Sequence, residues 1–184
     1  MRSDPSENYN RLFEIASGQE GYFTAKQAQS AGYYKRLQHY HRERGTWLPI
    51  DRGLFRLRNF PPSRWEDLVH WSLWSRDQKG NLQAVVSYES AAMVHELADY
   101  LPMKVHLTVP PSFRKRVPEG CILHREALRP EDIAEGGGFR RTTPFRTLQD
   151  LYHAGDRDQL RLAVDEAGRR GLITRIQKES FKLL

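Results

Sequence analysis

The stretch from Tyr22 to Leu57 constrains the fold of this 184-residue chain more than any other. It reads as a short helix, a glycine turn, a basic helix, and a strand pair ending in Arg52-Gly53-Leu54-Phe55-Arg56-Leu57. Upstream, Leu12, Phe13, Ile15 and Ala16 recur at helical spacing within 8–17, and Gly18 with Gly21 breaks that first helix. Thr24 is placed to cap the next helix, which passes Lys26, Ala28 and Ala31 before Gly32 stops it. A third helix is expected from Tyr33 to near Gly45, burying Leu37 and Tyr40 on one side. Trp47-Leu48-Pro49-Ile50 then reads as a strand, Asp51-Arg52-Gly53 as a tight turn, and 54–57 as the partner strand. A helix-turn-helix followed by such a hairpin, or wing, seats one helix in the DNA major groove while the strand pair touches neighbouring backbone.

Charge strengthens this reading. The chain carries a net +6, and from Tyr33 to Arg58 seven basic residues (Lys35, Arg36, Arg42, Arg44, Arg52, Arg56, Arg58) face two acidic ones, Glu43 and Asp51. Clustered cations attract polyanions, because each neutralised phosphate releases condensed counterions. Arg and Lys pair with guanine edges or phosphates, Gln38 suits adenine, and Tyr34 and His39 suit phosphate, sugar or base contacts. Thr24 and Lys26 stand where a helix start points its N–H groups outward, a place that suits a phosphate. The expected DNA-contacting set is therefore Thr24, Lys26, Tyr34, Lys35, Arg36, Gln38, His39, Arg42, Arg44 and Arg52, the last at the wing tip.

Composition bounds the remaining possibilities. With 39% hydrophobic and 28% charged residues the chain matches an ordinary globular protein. No apolar run approaches the roughly 20 residues that cross a bilayer, and Met1-Arg2-Ser3-Asp4-Pro5 has no apolar signal core. A cytoplasmic location without membrane attachment is expected. The single cysteine, Cys121, makes neither an internal disulfide nor a thiolate zinc site.

Phe60-Pro61-Pro62 marks an expected domain boundary, because two prolines remove backbone donors and disfavour helix before them. The domains would be 1–60 and 61–184. Ser63 caps a helix to about Asp77 whose Trp65 and Trp74 fall on nearly opposite faces. That helix suits a place between domains, against a second subunit, or in an all-round core. Strands are expected at Leu82–Val86, Met103–Val109, Cys121–Arg125 and Phe139–Thr142, with Met103, Val105, Leu107 and Val109 sharing one face. Helices follow Ser87, Thr143-Pro144 and Asp156, and Arg146 and Asp150 are spaced to pair on one helical face. The fold class is α+β: an amino-terminal winged helix-turn-helix, then a small mixed α/β domain.

Enzyme chemistry finds little foothold. A metal-dependent nuclease would need Glu-x-Lys or Asp-x-Lys on a strand, and only Asp77-x-Lys79 fits, beside Gly80 in a loop. His95-Glu96 lacks the second histidine of a zinc protease helix, and Gly136-Gly137-Gly138 lacks the Lys-Ser/Thr of a phosphate loop. His106 and His124 meet if their strands pair, a two-ligand hint only. No catalytic residue, metal or cofactor is expected.

In order and spacing, four segments resemble the AbiEi family of antitoxin-like transcriptional regulators. They are the helix-turn-helix with its basic-Gly-Leu-Phe-Arg-Leu strand, Val86-Ser87-Tyr88-Glu89-Ser90-Ala91-Ala92, Val105-His106-Leu107-Thr108-Val109-Pro110, and 142–151 around Pro144-Phe145-Arg146-Thr147-Leu148. The resemblance implies a winged-helix DNA-binding domain joined to an α/β antitoxin domain. It also implies a repressor of its own promoter at inverted repeats, acting as antitoxin in a type IV, AbiE-like toxin–antitoxin operon against a nucleotidyltransferase-like toxin. Carried over by position, Tyr34, Lys35, Arg36, Gln38, His39, Arg42 and Arg52 are the DNA-contacting residues. The chain departs from the family pattern at Glu96, where relatives tend to show a glycine that would serve a tight turn. Double-stranded DNA is thus the expected partner, read by a homodimer or a cooperative pair because one short helix and wing span few base pairs. The alternatives are a module that docks a toxin or second subunit through its tryptophan helix, and a metal-dependent nuclease.

Overall fold

The computed structural model describes residues 4–155 and 157–181, so Asp156, expected to open a helix, lies outside the described residues. The fold is mixed α+β and divides into two compact units, one of residues 1–74 with 137–139 and one of 75–136 with 140–184.

In the first unit, α1 (Pro5–Ser17) starts at Asp4, whose side chain accepts from the Ser6 N–H. β1 (Tyr22–Thr24) leads into α2 (Ala25–Ser30), where Thr24 and Gln27 form a reciprocal capping box. α3 (Lys35–Glu43) follows, then β2 (Trp47–Asp51) and β3 (Leu54–Leu57). The three strands pair antiparallel in the order β1-β3-β2. Pro49 is accommodated because β2 is an edge strand, and the register shifts between Pro49 and Asp51. Leu12, Ala16, Phe23, Ala28, Tyr33, Trp47 and Phe55 make the core, with Trp47 edge-on to Phe23 at 4.7 Å.

The unit continues past Pro61-Pro62, where the boundary was expected, to the end of α4 (Glu66–Trp74). Side-chain chemistry explains the difference. Arg56 on β3 donates to Glu66 at 2.6 Å, and Tyr22 stacks on His70 at 5.9 Å, so the prolines bend the chain without ending the unit. α4 is shorter than expected, buries Leu68, Val69, Ser72 and Leu73, and leaves Trp65, Trp71 and Trp74 half-buried.

The second unit holds a mixed sheet of order β6-β5-β4-β8-β7. β4 (Val85–Val86) is shorter than the expected strand; it runs antiparallel to β5 (Val105–Val109) and parallel to β8 (Phe139–Thr142), while β5 and β6 (Cys121–Arg125) are parallel. β7 (Ile133–Gly136) was not foreseen. Leu107, Thr108 and Val109 are all buried, so both faces of β5 are covered there, and Met103 lies outside the strand, exposed. The Thr108 hydroxyl donates to Ser87 Oγ at 2.8 Å, which is why Ser87, at the N-cap of α5 (Tyr88–His95), makes no side-chain cap bond. α5, α6 (Pro144–Ala154) and α7 (Arg157–Arg169) share a core that includes Ala92, Leu148, Leu151 and Leu160, joined by Leu97 after α5 and by Phe181 after the short α8 (Arg175–Glu179).

α5 ends in a turn despite lacking a glycine. Glu96 adopts left-handed φ 55°, ψ 47°, its N–H donates to Met93 O, and Leu97 N–H donates to Ala92 O. This is the two-bond Schellman end, with Leu97 and Ala92 both buried in one core. No described helix is long and apolar enough to cross a membrane.

Candidate nucleic-acid interface

α3 is the outstanding surface of the first unit because none of its nine residues is buried. Leu37 and Tyr40, expected inside, are 42% and 50% exposed, and Tyr34 ahead of the helix is 65% exposed. The helix is seated by two half-buried residues instead. Gln38 Nε2 donates to Ala25 O at 3.0 Å and Tyr33 O at 2.7 Å. His41 stacks on Trp47 at 4.9 Å, and its Nδ1 lies 2.9 Å from Thr46 Oγ1; burial pulls its pKa below the usual histidine value. Both lie on one side of the cylinder, at i and i+3, and the rest of its circumference faces outward.

This geometry keeps some expected contacts and removes others. Lys35, Arg36, His39, Arg42 and Arg44 are exposed on or just after α3. Arg44 lies over the Tyr40 ring at 5.4 Å, and His39 Nδ1 is 4.0 Å from Glu43. Arg52 is exposed on the β2–β3 turn, where Asp51 Oδ1 accepts from its backbone N–H. Gln38, expected to read adenine, spends its amide donors on the seat of α3. Thr24, expected at a phosphate, is buried, and its hydroxyl accepts from Gln27 N–H. At the same helix start Ala25 N–H donates to Gly53 O and Thr24 N–H to Gln27 Oε1, so these protein acceptors occupy the donors a phosphate would use. Lys26 remains exposed on α2.

Of the seven clustered basic residues one, Arg56, turns inward, and Arg58 is tied to the backbone at the surface. Arg56 donates to Glu20 O, Pro61 O and Glu66, and Arg58 Nε donates to Gly45 O. Lys35, Arg36, Arg42, Arg44 and Arg52 are exposed, and so is Arg58 despite its backbone bond. A second exposed basic run, Arg114-Lys115-Arg116, lies in the loop after β5. Local charge counting would have found it. Phe113, buried beside it, anchors the loop, and Lys115 donates to Arg76 O at 2.8 Å.

The residues weighed for catalysis have structural occupations. Asp77 closes a turn, its Oδ1 accepting from the Gly80 and Asn81 N–H groups and its Oδ2 from Asn81 Nδ2. The same bonds hold its pKa below the usual aspartate value. His106 and His124 do meet, 3.2 Å apart across the β5–β6 pair. Burial, then the neighbouring His106, lowers His124 to about 4. Among the described residues no third histidine, cysteine or carboxylate joins them as a metal group.

No protein-family description matches the chain, and no curated protein does. Among solved structures it is similar to the crystal structure of the RV2827C protein from Mycobacterium tuberculosis, with TM-score 0.54 and 17% identity, over 98% of this chain and 72% of that one. At such identity the likeness speaks for the shared fold alone.

Proposed function

We propose that the protein is a DNA-binding transcriptional regulator whose first unit is a winged helix-turn-helix, with α2 and α3 as the helix pair and β2–β3 as the wing. The observation that carries the reading is α3: a nine-residue helix with no buried residue, bearing Lys35, Arg36 and Arg42 and followed by Arg44. A helix held by only two half-buried residues can enter a groove without unpacking the core, and its cations meet the phosphates on either side. By the AbiEi resemblance, the protein acts in the cytoplasm as a homodimer, represses its own promoter at inverted repeats, and counters a nucleotidyltransferase-like toxin.

The test is retention of its own upstream duplex against random duplex over a salt series. Lys35, Arg36, Arg42, Arg44 and Arg52 meeting phosphates would make log K fall with log salt at a slope of about −4 to −5. Arg36→Ala or Arg42→Ala would cost about 1–3 kcal/mol where the side chain reads a base, and less where it meets only phosphate. Equal retention of random and upstream duplex at moderate salt would end the reading.

One observation favours a second reading. Leu37 and Tyr40 are exposed on α3, and an outward apolar and aromatic face also suits a protein partner such as a toxin or second subunit. Light scattering together with pull-down of the adjacent gene product separates the two readings.

A further inference from the structure

The first unit contains a cavity of about 340 Å3, a volume in the range of small-molecule sites. Aromatic rings make much of its lining, in two pairs. Buried Tyr33 and Trp47 lie 5.1 Å apart between ring centroids, and exposed Tyr9 stacks on Phe13 at 5.9 Å. Phe60, 6.3 Å from Phe13, extends the second pair. Every one of these residues belongs to the same compact unit.

Three observations in this cavity converge. Tyr9 and Phe13 are 52% and 43% exposed, so rings that would gain from burial stand open around a concave space. Arg58 is the one Lys or Arg side chain in the lining, and among the described residues no carboxylate lines the cavity. The Arg58 Nε donates to Gly45 O, and the exposed guanidinium forms no ion pair among the described residues. A guanidinium carries five donors, so those on its Nη atoms remain for an incoming acceptor. Tyr33 is 7% exposed, and its hydroxyl has no hydrogen-bond partner among the described residues yet keeps contact with solvent. Unsatisfied donors and open rings around one hollow are the features of a binding site for an apolar body with an acceptor at one end.

We propose that this cavity binds a small flat aromatic carboxylate, its ring against the aromatic lining and its carboxylate on Arg58. Ring packing fixes the plane of the ligand, and a guanidinium takes a carboxylate as a two-bond fork. A hollow of this size admits a small molecule and not a folded partner. His41 and Trp47, whose stacking helps to seat α3, also line it, so a bound ligand touches the seat of that helix. The proposal does not rest on DNA binding. If the first unit does hold a duplex through α3, such a ligand is its effector.

The test is calorimetric titration of the full chain with naphthoate, using naphthamidine, a cation of the same shape, as the control. Naphthoate should bind with a dissociation constant of about 2 mM or tighter, which a fragment of this size reaches at ordinary ligand efficiency, and naphthamidine should give no heat. Arg58→Gln should weaken naphthoate by about fivefold or more and erase the preference for the anion. Phe13→Ala should weaken it by about threefold or more. Both side chains are exposed, so both variants keep the core intact. Naphthoate that is silent at its solubility limit, naphthamidine that binds as well, or an affinity unmoved by either variant would each overturn the proposal. Silence accompanied by a dimer in light scattering that Phe13→Ala dissolves would give the aromatic rim to a second copy of the chain instead.

Discussion

Replacing Glu96 by glycine should give a more stable protein than replacing it by alanine. The residue holds left-handed φ 55°, ψ 47° at the end of α5, a conformation costing an L-residue roughly 1–2 kcal/mol. Glycine removes that strain but loses more chain entropy on folding, roughly 0.5–1 kcal/mol. The net gain over alanine is about 0.5–1 kcal/mol, or roughly 1–4 °C in melting temperature for a chain of this size. The hydrogen bonds that define the turn survive the change, because they use main-chain atoms. Arg170 donates to the carbonyl oxygens of His95 and Glu96, and Leu97 N–H still reaches Ala92 O. The comparison that isolates the backbone is Glu96→Gly against Glu96→Ala, since both remove the carboxylate and only alanine keeps the strained Cβ. Urea denaturation at pH 7 measures both. An alanine variant as stable as the glycine variant would refute the reasoning.

Other outcomes follow from the same structure. The Asp150 carboxyl is raised in the folded state from 3.8 to about 6, so the folded chain binds more protons than the unfolded one between those values, and this group's contribution to stability falls as pH rises through that window. The effect is at most about 3 kcal/mol; wild-type stability minus that of Asp150→Asn should be larger at pH 4 than at pH 7, and a flat difference would contradict the assignment. Gln38→Ala should destabilise by about 1–2 kcal/mol, having removed both amide bonds that seat α3; a variant melting with wild type would show that the seat lies elsewhere. If the hairpin tip meets backbone phosphate, Arg52→Ala should flatten the salt dependence of DNA retention by about one unit while leaving sequence preference intact. A changed sequence preference would assign Arg52 to a base instead.

Much of the element order was legible in the residues because its signals are local. Thr24 and Gln27 stand three apart with the chemistry of a reciprocal cap, Pro144 follows Thr143 at a helix start, and Arg146 pairs with Asp150 one turn on. The candidate surface was legible in part. Counting charges between Tyr33 and Arg58 found Arg36, Arg42 and Arg52, which are exposed, but gave equal weight to Arg56, which an acidic partner ten residues away draws inward. Helical periodicity placed Leu37 and Tyr40 inside, whereas α3 is seated by polar Gln38 and by His41. Apolarity marks what could be buried, and the neighbouring elements decide which side of a short helix they cover.

The sequence alone determined the α+β character, the positions of most helices and strands, and the basic character of the α3–hairpin segment, since caps, prolines, periodicity and charge act within a few residues. Only the tertiary structure decided that α4 belongs with the first unit, that Gln38 and Thr24 spend their polar atoms internally, and that Glu96 makes a turn without glycine. It alone brought Tyr9, Phe13, Trp47 and Arg58 around one cavity. The reason is that burial and hydrogen-bond partnership are set by residues distant in the chain, and no local pattern records which of them will meet.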